Sequence, residues 1–199
     1  MSDTGLGKSS FDTITIVPYR EAWAAEYRDL VAGLRAAFPT GTRFHHIGST
    51  SVPGLAAKDI IDIQATVASF DDIDLSVLSS LNYIERSGLS DHPPAGRDIP
   101  EAQLKKRFFR GLKRRANLHV RVGGAFNQRY PILCRDYLRA HPVTAESYQV
   151  IKERLSDWFP TDANRYYDIK DPVFDIIMDG AEIWAAATGW TVPEGDSGS

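Results

Sequence analysis

The chain has 199 residues, of which 43% are hydrophobic and 25% charged, a composition typical of one globular domain. Its net charge of −3 argues against a protein that coats nucleic acid, because that mode of binding needs an excess of Lys and Arg. The single cysteine, Cys134, excludes an internal disulfide. No apolar run reaches the roughly 18 residues of a membrane span, and the N-terminus lacks the apolar region of a signal peptide. We therefore expect a cytoplasmic protein with no membrane contact, and nothing in the sequence specifies its oligomeric state.

Hydrophobic patterning predicts a single domain over residues 13–190, with small polar tails over 1–12 and 191–199 that we expect to be frayed. Apolar residues spaced by three and four predict a helix over 19–38. Alternating and β-branched residues then predict the following elements: strands over 44–47, 60–67, 83–85, 106–112 and 118–122, a helix over 71–81, and a Pro- and Gly-rich loop over 87–100.

From residue 128 onward the spacing of apolar residues is helical throughout. It predicts three helices, over 130–139, 144–158 and 172–187. A strand-rich half followed by a helical half is typical of an α+β fold with a mixed sheet. No glycine motif of the dinucleotide-binding type follows a strand, which argues against a Rossmann fold.

The densest group of candidate functional residues spans two predicted strands and the loop between them. Gly48, Ser49 and Thr50 follow the first strand, where free backbone N–H groups and hydroxyls can hold a phosphate. Asp62 and Gln64 share one face of the next strand. Two oxygen-bearing side chains at this spacing can hold one Mg²⁺. A Ser/Thr turn followed by a core strand explains the same residues without any ligand.

Cationic side chains crowd the predicted 106–112 strand and the residues that flank it: Lys105, Lys106, Arg107, Arg110, Lys113, Arg114 and Arg115. In a net acidic protein such a segment attracts an anionic ligand. Arg107 and Arg110 are the candidates for contact, and alternation places them on opposite faces of the strand. A solvated charged surface is the alternative, and too few stacking aromatic residues accompany these cations for RNA binding.

Histidine residues at two places could transfer protons. His119 alternates with Leu118 and Val120, so it projects away from these apolar neighbours and can line a cleft. His45 and His46 must point to opposite faces, and His46, on the same side as Gly48, is the better candidate. Structural hydrogen bonding is the alternative role, and no spacing of His or Cys is typical of a zinc site.

The segment HHIGSTSVPGLAAKDIIDI, residues 45–63, resembles the signature of the GrpB family, small proteins of the nucleotidyltransferase-like superfamily that also occur fused to dephospho-CoA kinase. The resemblance continues through VPYREAWAAEYRDL, NLHV, CRDYLRAHP and the region 167–170, and so covers nearly the whole chain in order. It implies a nucleotidyltransferase-like core of mixed sheet with flanking helices. Gly48 and Ser49 would then match the residues that hold a nucleotide triphosphate, and Asp62 the first carboxylate of an Asp-x-Asp metal pair.

The chain departs from this family pattern at two positions. Gln64 stands at the second carboxylate position, and His119 occupies the strand position of a third carboxylate. Three carboxylates organise two Mg²⁺ for phosphoryl transfer. One carboxylate, one amide and one imidazole carry at most one negative charge, so we expect only weak binding of Mg²⁺, through Asp62.

Three functions therefore stay open. In the first, a GrpB-like protein binds a nucleotide or another phosphate-bearing small molecule, with or without nucleotidyl transfer, and Lys58 with one of the two strand arginines neutralises the phosphate. In the second, a metal-independent acid–base enzyme uses Asp62, His46 and His119 on a small polar substrate. The third is a non-catalytic binding module with a decayed active site.

Overall fold

The computed structural model describes residues 13–196. The predicted tail over 1–12 and residues 197–199 lie outside this range. In chain order the elements are α1 (Ala22–Leu34), β1 (Arg43–Ile47), β2 (Ile61–Val67), α2 (Leu75–Ser80), β3 (Tyr83–Glu85), β4 (Arg107–Gly111), β5 (Ala116–Val122), α3 (Phe126–Ala140), α4 (Pro142–Trp158) and α5 (Ala163–Thr188). Short 3-10 turns lie at Arg35–Ala37, Ser49–Ser51 and Glu101–Gln103.

The five strands form one sheet in the order β1-β2-β5-β4-β3. The central strands β2 and β5 run parallel, and each other neighbouring pair in this sheet is antiparallel. A parallel pair needs a crossover connection, which α2, β3 and β4 provide here. The predicted α+β fold with a mixed sheet is confirmed.

The strand register collects polar residues on one face of the sheet. Asp62 of β2 lies beside Asn117 of β5, and Gln64 lies beside His119. On the other side of β2, His45 of β1 lies opposite Gln64. Neighbouring residues of paired strands project to the same side. We call the side that these residues share the polar face.

The opposite face of the sheet is apolar and packs against α1. Its strands contribute residues that are almost fully buried, and α1 covers them with its own apolar stripe, so that the main core contains Ile61, Ile63, Ala65, Leu118, Val120, Trp23, Tyr27, Val31 and Leu34. The predicted helix over 19–38 is shorter in the structure, because its last turn tightens into the 3-10 segment Arg35–Ala37. This core fixes the sheet that carries the polar face.

The helices α3, α4 and α5 form the second half of the fold. Helix α5 begins at Ala163 rather than at residue 172 and continues through Pro172. Its start is stabilised because the Asp162 carboxylate accepts a hydrogen bond from the Arg165 N–H at 3.1 Å, and because Tyr166 in its first turn is buried. No helix within residues 13–196 combines the length and the apolar character of a membrane span.

The chain end returns to the sheet after α5. The Asp196 N–H donates to the Phe44 carbonyl at 2.9 Å, and His45 Nε2 lies 2.9 Å from the Pro193 carbonyl oxygen. As far as Asp196, the segment predicted to be a frayed tail over 191–199 is therefore held against β1.

Candidate functional site

The loop after β1 closes against the polar face. Gly48 has φ 70°, in the left-handed region that favours glycine. A Cβ added to Gly48 would lie 2.5 Å from Asp62 Oδ2. The Ser51 hydroxyl donates to the Gly48 carbonyl at 2.6 Å and fixes the turn. The loop backbone therefore lies in direct contact with the Asp62 carboxylate.

Gly48→Ala is expected to destabilise the protein for two reasons. A side chain in the left-handed region costs about 1–2 kcal/mol, and the new Cβ would also displace Asp62. Gly54→Ala is the matched control, because Gly54 has φ 80° with no atom within 4 Å of an added Cβ. Urea unfolding of both variants separates the two costs. Equal losses of stability would show that the contact with Asp62 does not matter.

Asp62 is the ionised centre of the polar face. Its Oδ1 accepts a hydrogen bond from Asn117 Nδ2 at 2.8 Å and lies 3.7 Å from His119 Nε2. Burial alone would raise the pKa of Asp62. The neighbouring imidazole of His119, the amide of Asn117 and the charge of Lys58 outweigh burial and hold the pKa of Asp62 below its usual value. Asp62 is therefore a carboxylate at neutral pH.

His119 is neutral beside this carboxylate. Burial and the charge of Arg121 together lower the pKa of His119 to about 4. The neighbouring Asp62 offsets only part of this shift. His119 Nδ1 lies 3.4 Å from Arg121 Nη2. A guanidinium can only donate hydrogen bonds, so Nδ1 is the acceptor and Nε2 carries the proton that faces Asp62. At 3.7 Å this proton makes a polar contact with Asp62 that is longer than a hydrogen bond, and the lone pair of Nδ1 faces Arg121.

The donors around Gln64 do not fit the predicted Mg²⁺ ion. Gln64 Oε1 accepts a hydrogen bond from Arg121 Nη1 at 2.8 Å, and Nε2 donates to the Gln128 carbonyl at 2.8 Å. The amide oxygen that would bind a cation is therefore occupied by a positively charged group. Within residues 13–196 no three His, Cys, Asp or Glu side chains converge as a metal ligand set. The residues around Gln64 therefore do not fit a bound Mg²⁺ ion.

The Asp91 carboxylate neutralises two buried cations near His119, namely Arg121 and Lys106. Asp91 lies in the predicted loop over 87–100, and its carboxylate accepts hydrogen bonds from Arg121 Nε at 3.0 Å, Lys106 Nζ at 2.5 Å and Asn127 Nδ2 at 3.0 Å. Burial would raise the pKa of Asp91, but the charges of Arg121 and Lys106 hold it far below its usual value. We call this group the Asp91 network. It is linked to the polar face through Arg121, which binds both Asp91 and Gln64.

His46 lies on the apolar side of the sheet. Its ring stacks on Tyr27 of α1 with centroids 4.7 Å apart, and its Nε2 lies 3.0 Å from Thr50 Oγ1. The Thr50 hydroxyl also donates to the Ile60 carbonyl at 3.3 Å, so Thr50 is engaged within the protein. Burial lowers the pKa of His46 to about 4. The structure thus separates His46 from His119 instead of pairing them, because the β1 register places His45 on the polar face.

The two candidate strand arginines also lie on opposite sides. Arg107 donates paired hydrogen bonds to Glu85 at 2.8 and 2.7 Å and is thereby held on the apolar side. Arg110 lies beside Asn117 in the β4–β5 register and is exposed. Of the two, Arg110 alone shares the face of Asp62.

Lys58, Lys152 and Lys170, from the loop before β2, from α4 and from α5, form a group that we call the lysine cluster. Lys58 Nζ lies 4.5 Å from the centroid of the Tyr167 ring and donates to the Tyr167 hydroxyl. Lys170 Nζ lies 5.4 Å from the centroid of the same ring and 2.8 Å from Asp171 Oδ1. Two of the three cations therefore share one aromatic ring.

Lys152 is the buried member of the lysine cluster, with 2% of its surface exposed. Its Nζ donates to the Ala56 carbonyl and lies 4.8 Å from the centroid of the Tyr148 ring. Burial and the charges of Lys170 and Lys58 together lower the pKa of Lys152 to about 7, and the nearby Glu153 offsets only part of this shift. Two like charges thus act on an ammonium group that solvent scarcely reaches.

Tyr148 links the lysine cluster to the glycine loop. It lies one turn before Lys152 on α4, so both side chains share one helix face. Burial raises the pKa of Tyr148, and the nearby Ser49 side chain offsets part of this rise. Sequence reasoning did not single out Tyr148, Lys152 and Lys170 as candidate site residues. Of the residues that it did single out, Gly48 lies against Asp62, and the charge of Lys58 acts on the same carboxylate.

Comparisons with known proteins identify relatives of this chain. A sequence model described as "GrpB protein" matches residues 13–180. The chain is 32% identical over 174 residues to the UPF0157 protein YqkA of Bacillus subtilis, which covers 86% of this chain and 48% of that protein. It is 31% identical over 195 residues to a dephospho-CoA kinase of Mycolicibacterium paratuberculosis, which covers 89% of this chain and 48% of that protein. The chain spans about half the length of both relatives.

The crystal structure of the conserved protein GrpB from Enterococcus faecalis has a similar fold. The TM-score is 0.71 at 26% sequence identity, and the match covers 85% of this chain and 99% of that chain. The predicted nucleotidyltransferase-like core, with flanking helices and a helical C-terminal half, is confirmed. Since the family model, the relatives and the fold agree with the signature at residues 45–63, the chain belongs to the GrpB family.

Proposed function

We propose that the protein binds a phosphate-bearing small molecule between the glycine loop and the lysine cluster. The observation that carries this proposal is the convergence of Lys58, Lys152 and Lys170 from three separate elements beside Ser49 and Tyr148. Asp171 pairs with Lys170, and Glu153 offsets only part of the repulsion that acts on the buried Lys152 ammonium, so a further anion would stabilise the cluster. A phosphate between them would remove this repulsion.

The residues around the cluster have complementary roles in such binding. The Gly48–Ser49 backbone and the Ser49 hydroxyl offer donors to phosphate oxygens. Lys58 and Lys170, which both lie against the Tyr167 ring, would supply charge-assisted hydrogen bonds to the phosphate. Asp62 repels a bare phosphate, so we infer that it faces a neutral polar part of the ligand, such as a sugar hydroxyl that donates a hydrogen bond to the carboxylate.

Binding without nucleotidyl transfer agrees best with the donors on the polar face. The carboxylate pair that would organise metal-dependent transfer is reduced to Asp62, since Gln64 is held by Arg121. The acid–base alternative loses its two imidazoles, because His46 and His119 lie on opposite sides of the sheet. A ligand-binding module is the function that these observations support.

Isothermal titration calorimetry with inorganic phosphate, pyrophosphate, ATP and dephospho-CoA, each with EDTA and with Mg²⁺, tests the proposal. We expect at least one of these to bind in EDTA. Lys58→Met should weaken that binding by about tenfold to a hundredfold, because a hydrogen bond to a charged group is worth about 1.5–3 kcal/mol. Arg28→Met is the control, since it removes one positive charge from the exposed side of α1.

Two results would overturn this function. One is the absence of heat from all four ligands. The other is binding that weakens equally in Lys58→Met and Arg28→Met, which would assign the effect to net charge alone.

A further inference from the structure

The outer edge of β1 carries backbone groups that no neighbouring strand uses, because β1 ends the sheet. Here the Phe44 carbonyl accepts the Asp196 N–H at 2.9 Å, and the His46 N–H donates to Asp196 Oδ2 at 2.8 Å. One aspartate residue thus uses both its own N–H and its own carboxylate on this edge. Free strand edges are general docking places for extended segments.

Arg135 of α3 completes the contact. Its side chain is 1% exposed; Nη1 donates to the Asp196 carboxylate and, at 3.0 Å, to the His46 carbonyl. Its Nε donates to Asp136 Oδ1 at 2.8 Å, which fixes the direction of the guanidinium. A buried, oriented guanidinium beside a backbone N–H is a receptor for a carboxylate. We call Phe44, His46 and Arg135 together the edge site.

The segment in the edge site is short and tethered. Trp190, just after α5, is anchored because its Nε1 donates to Asp136 Oδ2 at 3.1 Å. Six positions further on, Asp196 reaches the edge site. Between them, His45 Nε2 meets the Pro193 carbonyl at 2.9 Å. A tether of this length gives an effective concentration of about millimolar or above, so the chain's own segment keeps weaker peptides out.

We propose that the edge site is a binding site for an extended peptide that carries an aspartate, and that residues 193–196 fill it as an exchangeable ligand of the same chain. When this segment leaves, an aspartate-bearing peptide binds in its place. Aspartate suits the site because its N–H must reach the Phe44 carbonyl while its carboxylate reaches the His46 N–H on the same strand. Glutamate is one methylene longer and asparagine lacks the charge that Arg135 requires. The edge site uses none of the residues assigned to phosphate binding, so the two proposals stand independently.

Fluorescence anisotropy with a labelled peptide of residues 191–196 tests the exchange on the whole 199-residue chain. The peptide should bind the Asp196→Ala chain about tenfold or more tightly than the wild-type chain, because the tethered competitor is lost. Glu194→Ala is the matched control; Glu194 is exposed in the same segment and its replacement should leave peptide binding as in wild type. A peptide with asparagine in place of its aspartate should bind neither chain.

Two readings would overturn the proposal. One is equal peptide affinity of the wild-type and Asp196→Ala chains, which would mean that the segment does not exchange. The other is equal affinity of the aspartate and asparagine peptides, which would mean that Arg135 does not read a carboxylate. Asp196→Asn preserves the size of the side chain and provides the same comparison if Asp196→Ala does not fold, as circular dichroism would show.

Discussion

Asp91→Ala is expected to lower the free energy of unfolding by about 3–5 kcal/mol, the usual cost of removing one partner from a buried ion pair. The Asp91 carboxylate is bound by Lys106, Arg121 and Asn127. The side chains of Lys106 and Arg121 are only 12% and 5% exposed. Without Asp91 these two positive charges would face each other with little access to water. Urea unfolding at pH 7 measures the loss.

Asp72→Ala is the matched control for Asp91→Ala. Asp72 is exposed, so its replacement removes the same charge and should change stability by no more than about 0.5 kcal/mol. Asp91→Asn retains the shape of the side chain without its charge and should give an intermediate loss. A loss in Asp91→Ala no larger than that in Asp72→Ala would contradict the role assigned to the Asp91 network.

The Asp91 network also predicts how the stability of the protein changes in acid. The charges of Arg121 and Lys106 hold the folded-state pKa of Asp91 far below its usual value. As the pH falls, the Asp91 carboxylate is therefore protonated in the unfolded chain before it is protonated in the folded chain. The stabilisation from Asp91 is complete above about pH 5 and declines as the pH falls below the ordinary Asp pKa of about 3.9. Unfolding of wild type should therefore depend on pH in acid more steeply than unfolding of Asp91→Asn.

Local sequence patterns were sufficient to locate the elements of this fold. Strands predicted over 44–47 and 83–85 are found as Arg43–Ile47 and Tyr83–Glu85. The helix predicted over 71–81 is shorter, because Asp74 accepts hydrogen bonds from the N–H groups of the first turn and so fixes its start. Boundaries depend on such capping contacts, whereas the periodicity that predicts an element does not contain them.

The polar face was predictable only in part. Strand alternation correctly places Asp62 and Gln64 on one face. Strand alternation does not show that β5 lies beside β2. The partner of Gln64, Arg121, belongs to β5 and follows Gln64 by 57 residues in the sequence. The same alternation separates His45 from His46, but only the β1–β2 register decides which of them faces Asp62. Strand order is a tertiary property that a single segment does not encode.

The lysine cluster was missed for a related reason. Lys58 and the tyrosine that it contacts, Tyr167, are 109 residues apart. Tyr148 and Lys152 have the i to i+4 spacing of one helix face, which is the one local sign of this cluster. An isolated lysine on a helix predicts a solvated charge, and only the packing of α4 against the loop at Ala56 buries Lys152.

Lys152→Met is expected to stabilise the protein at pH 7. Burial and the charges of Lys170 and Lys58 lower the pKa of Lys152 from 10.5 to about 7, a difference of about 5 kcal/mol at 1.36 kcal/mol per unit. Methionine removes this cost but leaves the Ala56 carbonyl without its donor, which costs about 1–3 kcal/mol. We therefore expect a net gain of about 2–4 kcal/mol. Arg154→Met, at an exposed position of the same helix, should change stability by less than about 0.5 kcal/mol.

The gain in Lys152→Met should depend on pH in a defined direction. Between pH 7 and 10.5 the unfolded chain binds more protons at Lys152 than the folded chain does, so wild-type stability from this group rises with pH across this range. Below pH 7 both states are protonated and the cost of Lys152 is constant. The advantage of Lys152→Met should therefore be largest below pH 7 and shrink toward pH 10. A variant less stable than wild type at pH 7 would contradict the assigned cost.

Phosphate binding gives the opposite result for the same substitution. If the lysine cluster holds the ligand, Lys152→Met should weaken the binding found by calorimetry by about tenfold or more, because one charge-assisted contact is lost. A substitution that raises stability and lowers affinity is the mark of a residue retained for function at the expense of stability. If Lys152→Met leaves the affinity for the phosphate ligand unchanged, the anion binds elsewhere and Lys152 does not contact it.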